Sequence, residues 1–171
     1  MQLRRFAPDD ADFCFHLRNQ VIHNLFRSRL QPEEVAAAVS AYRPADYTRM
    51  AGQGKIFIME RNGQRAGFFY LKRIDPTIAE LCLIYIDPRY HGQGIGRSCI
   101  NHIDQWVSSN WKGVATLLVV TFVPGYNAEF YKKVGFAPLE RTVCELSGLP
   151  VKALRLSRPV RPRDRVASGN S

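Results

Sequence analysis

The sequence predicts an α/β (α+β) fold, a mixed central sheet of about seven strands flanked by helices. Two observations carry that prediction. Seven short stretches read as strands, by alternation or as apolar runs, and the segments between them repeat apolar residues at helical spacing. In chain order they give β-α-α-β-β-β-α-β-α-β-β, which describes a mixed sheet with helices on its faces. The 171 residues fit one domain, and 46% hydrophobic with 23% charged residues is the balance of a chain that can fill a core.

Residues 1–7 read as a short first strand, and Pro8-Asp9-Asp10 supplies the turn and cap that open a helix. In that helix Phe13, Leu17, Val21 and Leu25 recur at four-residue steps and share an inward face. A second helix starts at Pro32, with Glu33 and Glu34 suited to the positive end of its dipole. Residues 43–54 read as a loop. Residues 55–60 and 65–74 form a hairpin around Arg61-Asn62-Gly63-Gln64, where Asn-Gly supplies the positive backbone angles of a tight turn. Residues 78–86 are almost continuously apolar, which predicts a central strand buried on both faces.

A glycine-rich turn follows, then a helix with Ile95, Cys99, Ile103, Trp106 and Val107 on one side. Residues 114–123 read as another buried strand, and 127–134 as a short helix that Gly135 ends in a left-handed cap. Residues 139–146 and 151–156 make a last strand pair around Ser147-Gly148-Leu149-Pro150. The domain is expected to span 1–157. Residues 158–171, with four arginines against one aspartate, are expected to form a flexible basic tail.

No apolar run reaches the roughly 18–20 residues that cross a bilayer, and Met1-Gln2-Leu3-Arg4-Arg5 opens no signal-peptide core, so a cytoplasmic protein without a membrane partner is expected. Cys14, Cys82, Cys99 and Cys144 are unclustered and lie in apolar stretches, a pattern that argues against both disulfides and a metal site. The net charge of +9 favours anionic partners. Nucleic acid is disfavoured among them, because no stripe of aromatic and basic residues accompanies the charge.

The turn His91-Gly92-Gln93-Gly94-Ile95-Gly96 lies between a buried strand and an amphipathic helix. Glycines there let backbone amides approach a ligand, while the helix start adds partial positive charge, so an anion is the expected occupant. No Ser, Thr, Asp or Asn stands at the helix N-cap, which fits a start satisfied by a bound phosphate. A dinucleotide fingerprint would need glycine at Arg97, and a P-loop would need Gly-Lys-Ser or Gly-Lys-Thr; both are missing.

The stretch 81–96, Leu-Cys-Leu-Ile-Tyr-Ile-Asp-Pro-Arg-Tyr-His-Gly-Gln-Gly-Ile-Gly, resembles the acetyl-CoA signature of the Gcn5-related N-acetyltransferase (GNAT) superfamily. A second block, Asn127-Ala128-Glu129-Phe130-Tyr131-Lys132-Lys133-Val134-Gly135-Phe136, is similar to that family's later Phe-Tyr-x-Lys-x-Gly-Phe helix. The layout covers residues 1–157, but the specific likeness lies in 78–136. His91 stands where members usually carry Arg or Gln, which leaves main-chain contacts to the pyrophosphate there. Pro124 stands where many carry an Asn, and Asn127 is the substitute.

The resemblance implies the acyl-CoA N-acyltransferase fold, acetyl-CoA as cosubstrate, no metal, and transfer of the acetyl group to a primary amine of a small molecule or protein. Dimers are common in the family. The pantetheine arm would run beside Ile84, Tyr85 and Ile86, and the pyrophosphate would sit on His91, Gly92, Gln93, Gly94, Ile95 and Gly96. Arg97, Lys132 and Lys133 would neighbour phosphate, with Phe130 on the motif helix. Tyr131 matches the tyrosine that donates a proton to the departing thiolate, and Glu80 the glutamate used as general base; His16, His23 and His91 are weaker candidates for the base. Arg27 and Arg29, between the first two helices, would attract an anionic acceptor. The alternative is a non-catalytic acyl-CoA sensor on the same fold.

Overall fold

The structure, a computed structural model, describes residues 1–26, 28, 30–122 and 128–161. Its strands are β1 (Gln2–Arg5), β2 (Lys55–Arg61), β3 (Gln64–Arg73), β4 (Ile78–Ile86), β5 (Thr116–Phe122), β6 (Ala137–Leu146) and β7 (Leu149–Pro159). They form one sheet in the order β1-β2-β3-β4-β5-β7-β6. Every neighbouring pair is antiparallel except β4 and β5, which run parallel. Parallel neighbours need a crossover, here the helix α4 (Ile95–Asn110). Helices α1 (Ala11–Val21), α2 (Pro32–Ser40), α3 (Pro44–Gln53) and α5 (Ala128–Lys133) complete the fold. No helix among the described residues is long and apolar enough to cross a membrane.

Strand alternation divides the core in two. Phe57 and Met59 of β2 and Phe69 and Leu71 of β3 face α4, where Cys99, Ile103 and Val107 are fully buried. Ile56, Ile58, Phe68 and Tyr70, one step out of phase, face α1 and α3. The Asn-Gly hairpin forms as read, with φ of 52° at Asn62 and 73° at Gly63, and Ser147 and Gly148 repeat the device at 48° and 83°.

Several expectations need correction. Residues 43–54 are not a loop but contain α3: Pro44 occupies the first turn, the Asp46 carboxylate accepts the Arg43 amide at 2.7 Å, and Tyr47 and Met50 are buried. On α1 the buried stripe is Cys14, Leu17, Arg18 and Val21, with steps of three and four instead of four throughout; a π-helical turn follows over Ile22–Phe26. Strand β4 is central, yet residues 82–86 are only half-buried.

The domain boundary at 157 also moves. β7 continues through Arg158 to Pro159, and the Val160 amide donates to Ala115 O at 2.8 Å. Arg158 is 4% exposed: it pairs with the buried Asp104 of α4, donates to Val134 O at 2.9 Å and lies over the Phe136 ring. This residue joins the last strand to α4 and to the end of α5.

Removing one partner of that pair leaves an uncompensated buried charge. Arg158→Met or Asp104→Leu alone is expected to cost about 3–5 kcal/mol in denaturant titration, whereas the double replacement should recover most of the loss. A single variant as stable as the parent would show that the pair holds nothing together.

Candidate active site

β4 and β5 pair only from Ile78↔Thr116 to Leu81↔Val119. Beyond that point β4 stays with β3 as far as Ile86↔Gly67, and β5 stays with β7 as far as Phe122↔Ala153. The two inner strands therefore part while their outer neighbours hold them. At the parting, Tyr70 faces Leu83 and Leu71 faces Leu81, so Cys82 is an extra residue, a β-bulge. The bulge reverses the strand's phase: Ala79 and Leu81 face the α4 side before it, and Ile84 and Ile86 after it, while Tyr85 packs toward α1.

A cavity of about 510 Å³ occupies the opening. Its lining includes Val21, from the core under α1, and Tyr131, from the core under α4, so it passes through the sheet. Asp87 donates its amide to Ala66 O, on the β3 side, at 2.9 Å. Alternation along the strand then turns the Ile86 and Ile84 amides toward the gap.

One end of the cavity is the glycine-rich turn. Among the described residues the amides of Gly92 through Arg97 donate to no partner; the first one satisfied is Ser98, which bonds Gly94 O at 3.0 Å. Six successive free N–H groups at the start of a 16-residue helix make an anion cradle. Gly92 and Gly94 have φ of 72° and 76°, with open space where a Cβ would stand, so glycine serves the backbone path there. Gly96 serves packing: a Cβ would lie 2.9 Å from the Phe130 ring.

Side chains brace the turn from outside. The Arg89 guanidinium grips the Asp87 carboxylate, with Nη2 at 2.7 Å from Oδ2, and holds its pKa below the usual range. His91 Nε2 lies 2.8 Å from Ile86 O, which can only accept, so that nitrogen carries the hydrogen. Gln93 donates to Arg89 O and accepts from Arg61.

Of the expected cofactor residues, Ile84, Tyr85, Ile86, His91, Gly92, Gly94, Ile95, Gly96, Arg97, Phe130 and Lys133 line this one cavity. Gln93 does not; its side chain is spent on the turn. Lys132 is paired with Glu129 at 2.7 Å. Asn127, Arg27 and Arg29 lie outside the described residues. His16 and His23 are exposed and away from the cavity lining. Sequence reasoning missed Val21, Tyr90 and Val134 as lining: Tyr90 and Val134 lie inside the two motifs, whereas Val21, on α1, is read only as a core residue and carries no signal for the site.

Tyr131 is 4% exposed and lines the cavity, wedged edge-to-face between Phe130 and Phe136. No described residue hydrogen-bonds its hydroxyl, and burial pushes its pKa up, so the phenol keeps its proton. Glu80 lies in the paired part of β4, outside the cavity lining, on the face opposite Ala79 and Leu81. Burial raises its pKa, against the opposing pull of Arg155 and Lys72. Arg155 pairs with Glu140, and no described residue bonds the Glu80 carboxylate.

A sheet split at its parallel pair, with an amide cradle at one end of the gap, defines an acyl-CoA-binding class of fold. The chain belongs to the GNAT acetyltransferase family, whose domain model matches residues 52–138. It is similar to an uncharacterized N-acetyltransferase of Methanocaldococcus jannaschii, 31% identical over 90 residues. That match covers 49% of this chain and only 39% of the relative's length. Solved structures share the fold: a Gcn5-related N-acetyltransferase from Rhodopseudomonas palustris has a TM-score of 0.81 at 22% identity, over 92% of this chain and 94% of that one. A PaiA N-acetyltransferase from Thermoplasma acidophilum in complex with coenzyme A has a TM-score of 0.74 at 15% identity, over 90% and 96%.

Gly96→Ala tests the contact between α4 and α5. The added methyl should destabilise the protein by about 1–3 kcal/mol, and a second change, Phe130→Leu, should relieve part of that cost. Equal stability of Gly96→Ala and its parent in thermal melts would contradict the packing assigned to this glycine.

Proposed function

We propose that the chain is an enzyme that moves the acetyl group of acetyl-CoA onto a primary amine by direct attack. The observation that carries this reading is the continuity of one cavity from the free amides of the glycine-rich turn, through the gap in the sheet, to a phenol unpartnered among the described residues. The amides suit a diphosphate, Arg97 and Lys133 add cationic charge beside it, and the apolar walls of Ile84, Ile86 and Phe130 suit a pantetheine arm.

In the reaction the amine nitrogen bonds to the thioester carbonyl carbon, and the carbonyl oxygen gains negative charge. The Ile84 and Ile86 amides, freed by the parting of β4 and β5, are the donors available to it. As the C–S bond breaks, Tyr131, protonated at neutral pH, gives its proton to the thiolate; burial raises its pKa and so opposes the release, which leaves the developing thiolate charge to draw the proton across. The proton lost by the amine passes to Glu80, through water, since the carboxylate stands outside the cavity lining. Burial raises the basicity of Glu80, which favours that transfer.

Two experiments test the reading. Calorimetry should show acetyl-CoA binding, and Tyr131→Phe should slow turnover about a hundredfold at saturating acetyl-CoA while leaving its affinity unchanged. A folded protein that binds neither coenzyme A nor its acyl esters ends the assignment; binding without turnover, insensitive to Tyr131→Phe, would make the chain a sensor.

The second experiment is a pH profile with an arylamine acceptor that stays neutral across the range. Glu80 acts only when ionised, and its pKa is raised, so kcat/KM should climb with pH through a limb above the ordinary carboxylate value of 4.5. Glu80→Gln should lower the rate and abolish that limb; a limb that survives belongs to another group.

A further inference from the structure

Among the described residues the buried charges are paired, with one exception. Asp10 is held by Arg4 and Arg65, Asp87 by Arg89, and Asp104 by Arg158. Arg18, on α1, is 2% exposed, and no carboxylate lies within ion-pair distance of it among the described residues. Its one side-chain hydrogen bond runs from Nη1 to the Asn19 side-chain oxygen at 3.3 Å, and its Nε is buried with no acceptor. A guanidinium keeps its proton inside proteins, so burial cannot neutralise this cation, and an unpaired buried charge is costly.

Aromatic faces offset part of that cost. The guanidinium carbon lies 4.6 Å from the centroid of Tyr42 and 5.9 Å from that of Tyr85. Rings meet a guanidinium over its faces, whereas its N–H donors lie in the plane, the direction from which a carboxylate takes two parallel hydrogen bonds. A second donor nearby is in the same condition: Tyr47 is fully buried and its hydroxyl has no acceptor. The Arg18 charge opposes the upward push of burial at both the Tyr42 and the Tyr47 phenol, so the three groups share one electrostatic neighbourhood.

This cluster adjoins the cavity on the α1 side of the sheet. Tyr85 lines the cavity and packs against the cluster, and Val21, one turn beyond Arg18, also lines it. Arg18, Tyr42 and Tyr47 all precede the segment that matches the family model, residues 52–138.

We infer that Arg18, backed by Tyr47, is the anion subsite for the acceptor: the amine substrate is a small molecule of amino-acid type whose carboxylate reaches Arg18 past Tyr85. The inference rests on the acetyltransferase reading above and adds the substrate class to it.

The test uses the unmodified protein, acetyl-CoA, and matched acceptors: α-amino acids against the corresponding amino-acid amides, in which a neutral carboxamide replaces the carboxylate. The amide's amine is the less basic, so chemistry alone favours the amide. The acids are nevertheless expected to be used about ten- to a hundredfold better in kcat/KM, with the difference mainly in KM. Arg18→Gln should erase the preference by weakening the acids and sparing the amides. Calorimetry on the coenzyme A complex should show amino-acid binding that Arg18→Gln removes.

Equal use of acids and amides by the unmodified protein overturns the proposal, as does a preference that survives Arg18→Gln, or turnover of uncharged amines alone. The comparison of acids with amides needs no variant, so misfolding of Arg18→Gln leaves it intact. If acetyl-CoA itself does not bind in the same calorimeter, the transferase reading fails first, and visibly apart from any result on Arg18.

Discussion

The parting of β4 from β5 after Leu81 and Val119 is the constraint on which everything else here depends. Two inner strands of a sheet give up their mutual hydrogen bonds, and each buried polar group left unpaired costs roughly 1–3 kcal/mol. The fold bears that cost because β3 and β7 grip the separated strands from outside, over seven register pairs in each case. The bulge at Cys82 has a second effect. By reversing the phase of β4 it places Ile84 and Ile86 on the side of α4 and α5 and leaves Tyr85 facing α1, so one strand furnishes walls on both faces of the sheet.

From that gap the chemistry divides by face. The phenol of Tyr131 and the amide cradle lie with α4 and α5, where burial keeps a proton on the tyrosine. Glu80 lies on the other face, half-buried and with no bonded partner among the described residues, Arg155 being taken by Glu140. A buried phenol that keeps its proton and a carboxylate of raised pKa, the two groups to which the proposed reaction assigns proton transfer, are thus held on opposite faces by the same strand order. Arg89 and Asp87 neutralise each other beside the cradle, which leaves its partial positive charge unopposed.

The strands were legible because period-two patterning and turn chemistry agree, most clearly at Asn62-Gly63 and Ser147-Gly148. The cradle was legible because its function is written in backbone: glycine at 92 and 94 and no capping side chain. α3 was missed because its apolar stripe is only Tyr47, Met50 and Ala51; Pro44 with Asp46 was the signal that went unread. The split of the sheet is implied by the family resemblance but is not legible in the residues themselves, since the apolar run 78–86 looks the same whether its second neighbour is present or absent. Composition places Arg158 in the tail, and nothing local tells it from the arginines that follow; its partner Asp104, 54 residues away in sequence, sets it apart.

Arg18 was illegible for a related reason and shows how the two halves of such a site are encoded. Donor recognition uses main-chain amides, so it demands a spacing of glycines that any reader can find. The acceptor recognition proposed above uses side chains borne on α1 and α3, where an arginine among helix residues looks like ordinary surface charge. Its meaning lies in what surrounds it: two ring faces, a buried Nε without an acceptor, and no carboxylate. Among the described residues the other buried cation, Arg158, is paired, and leaving Arg18 unpaired adds nothing to stability, since an apolar residue of similar volume would avoid the desolvation. An anion that arrives from outside the chain, as proposed above, would account for the retained charge, and the cavity wall nearest to it is Tyr85.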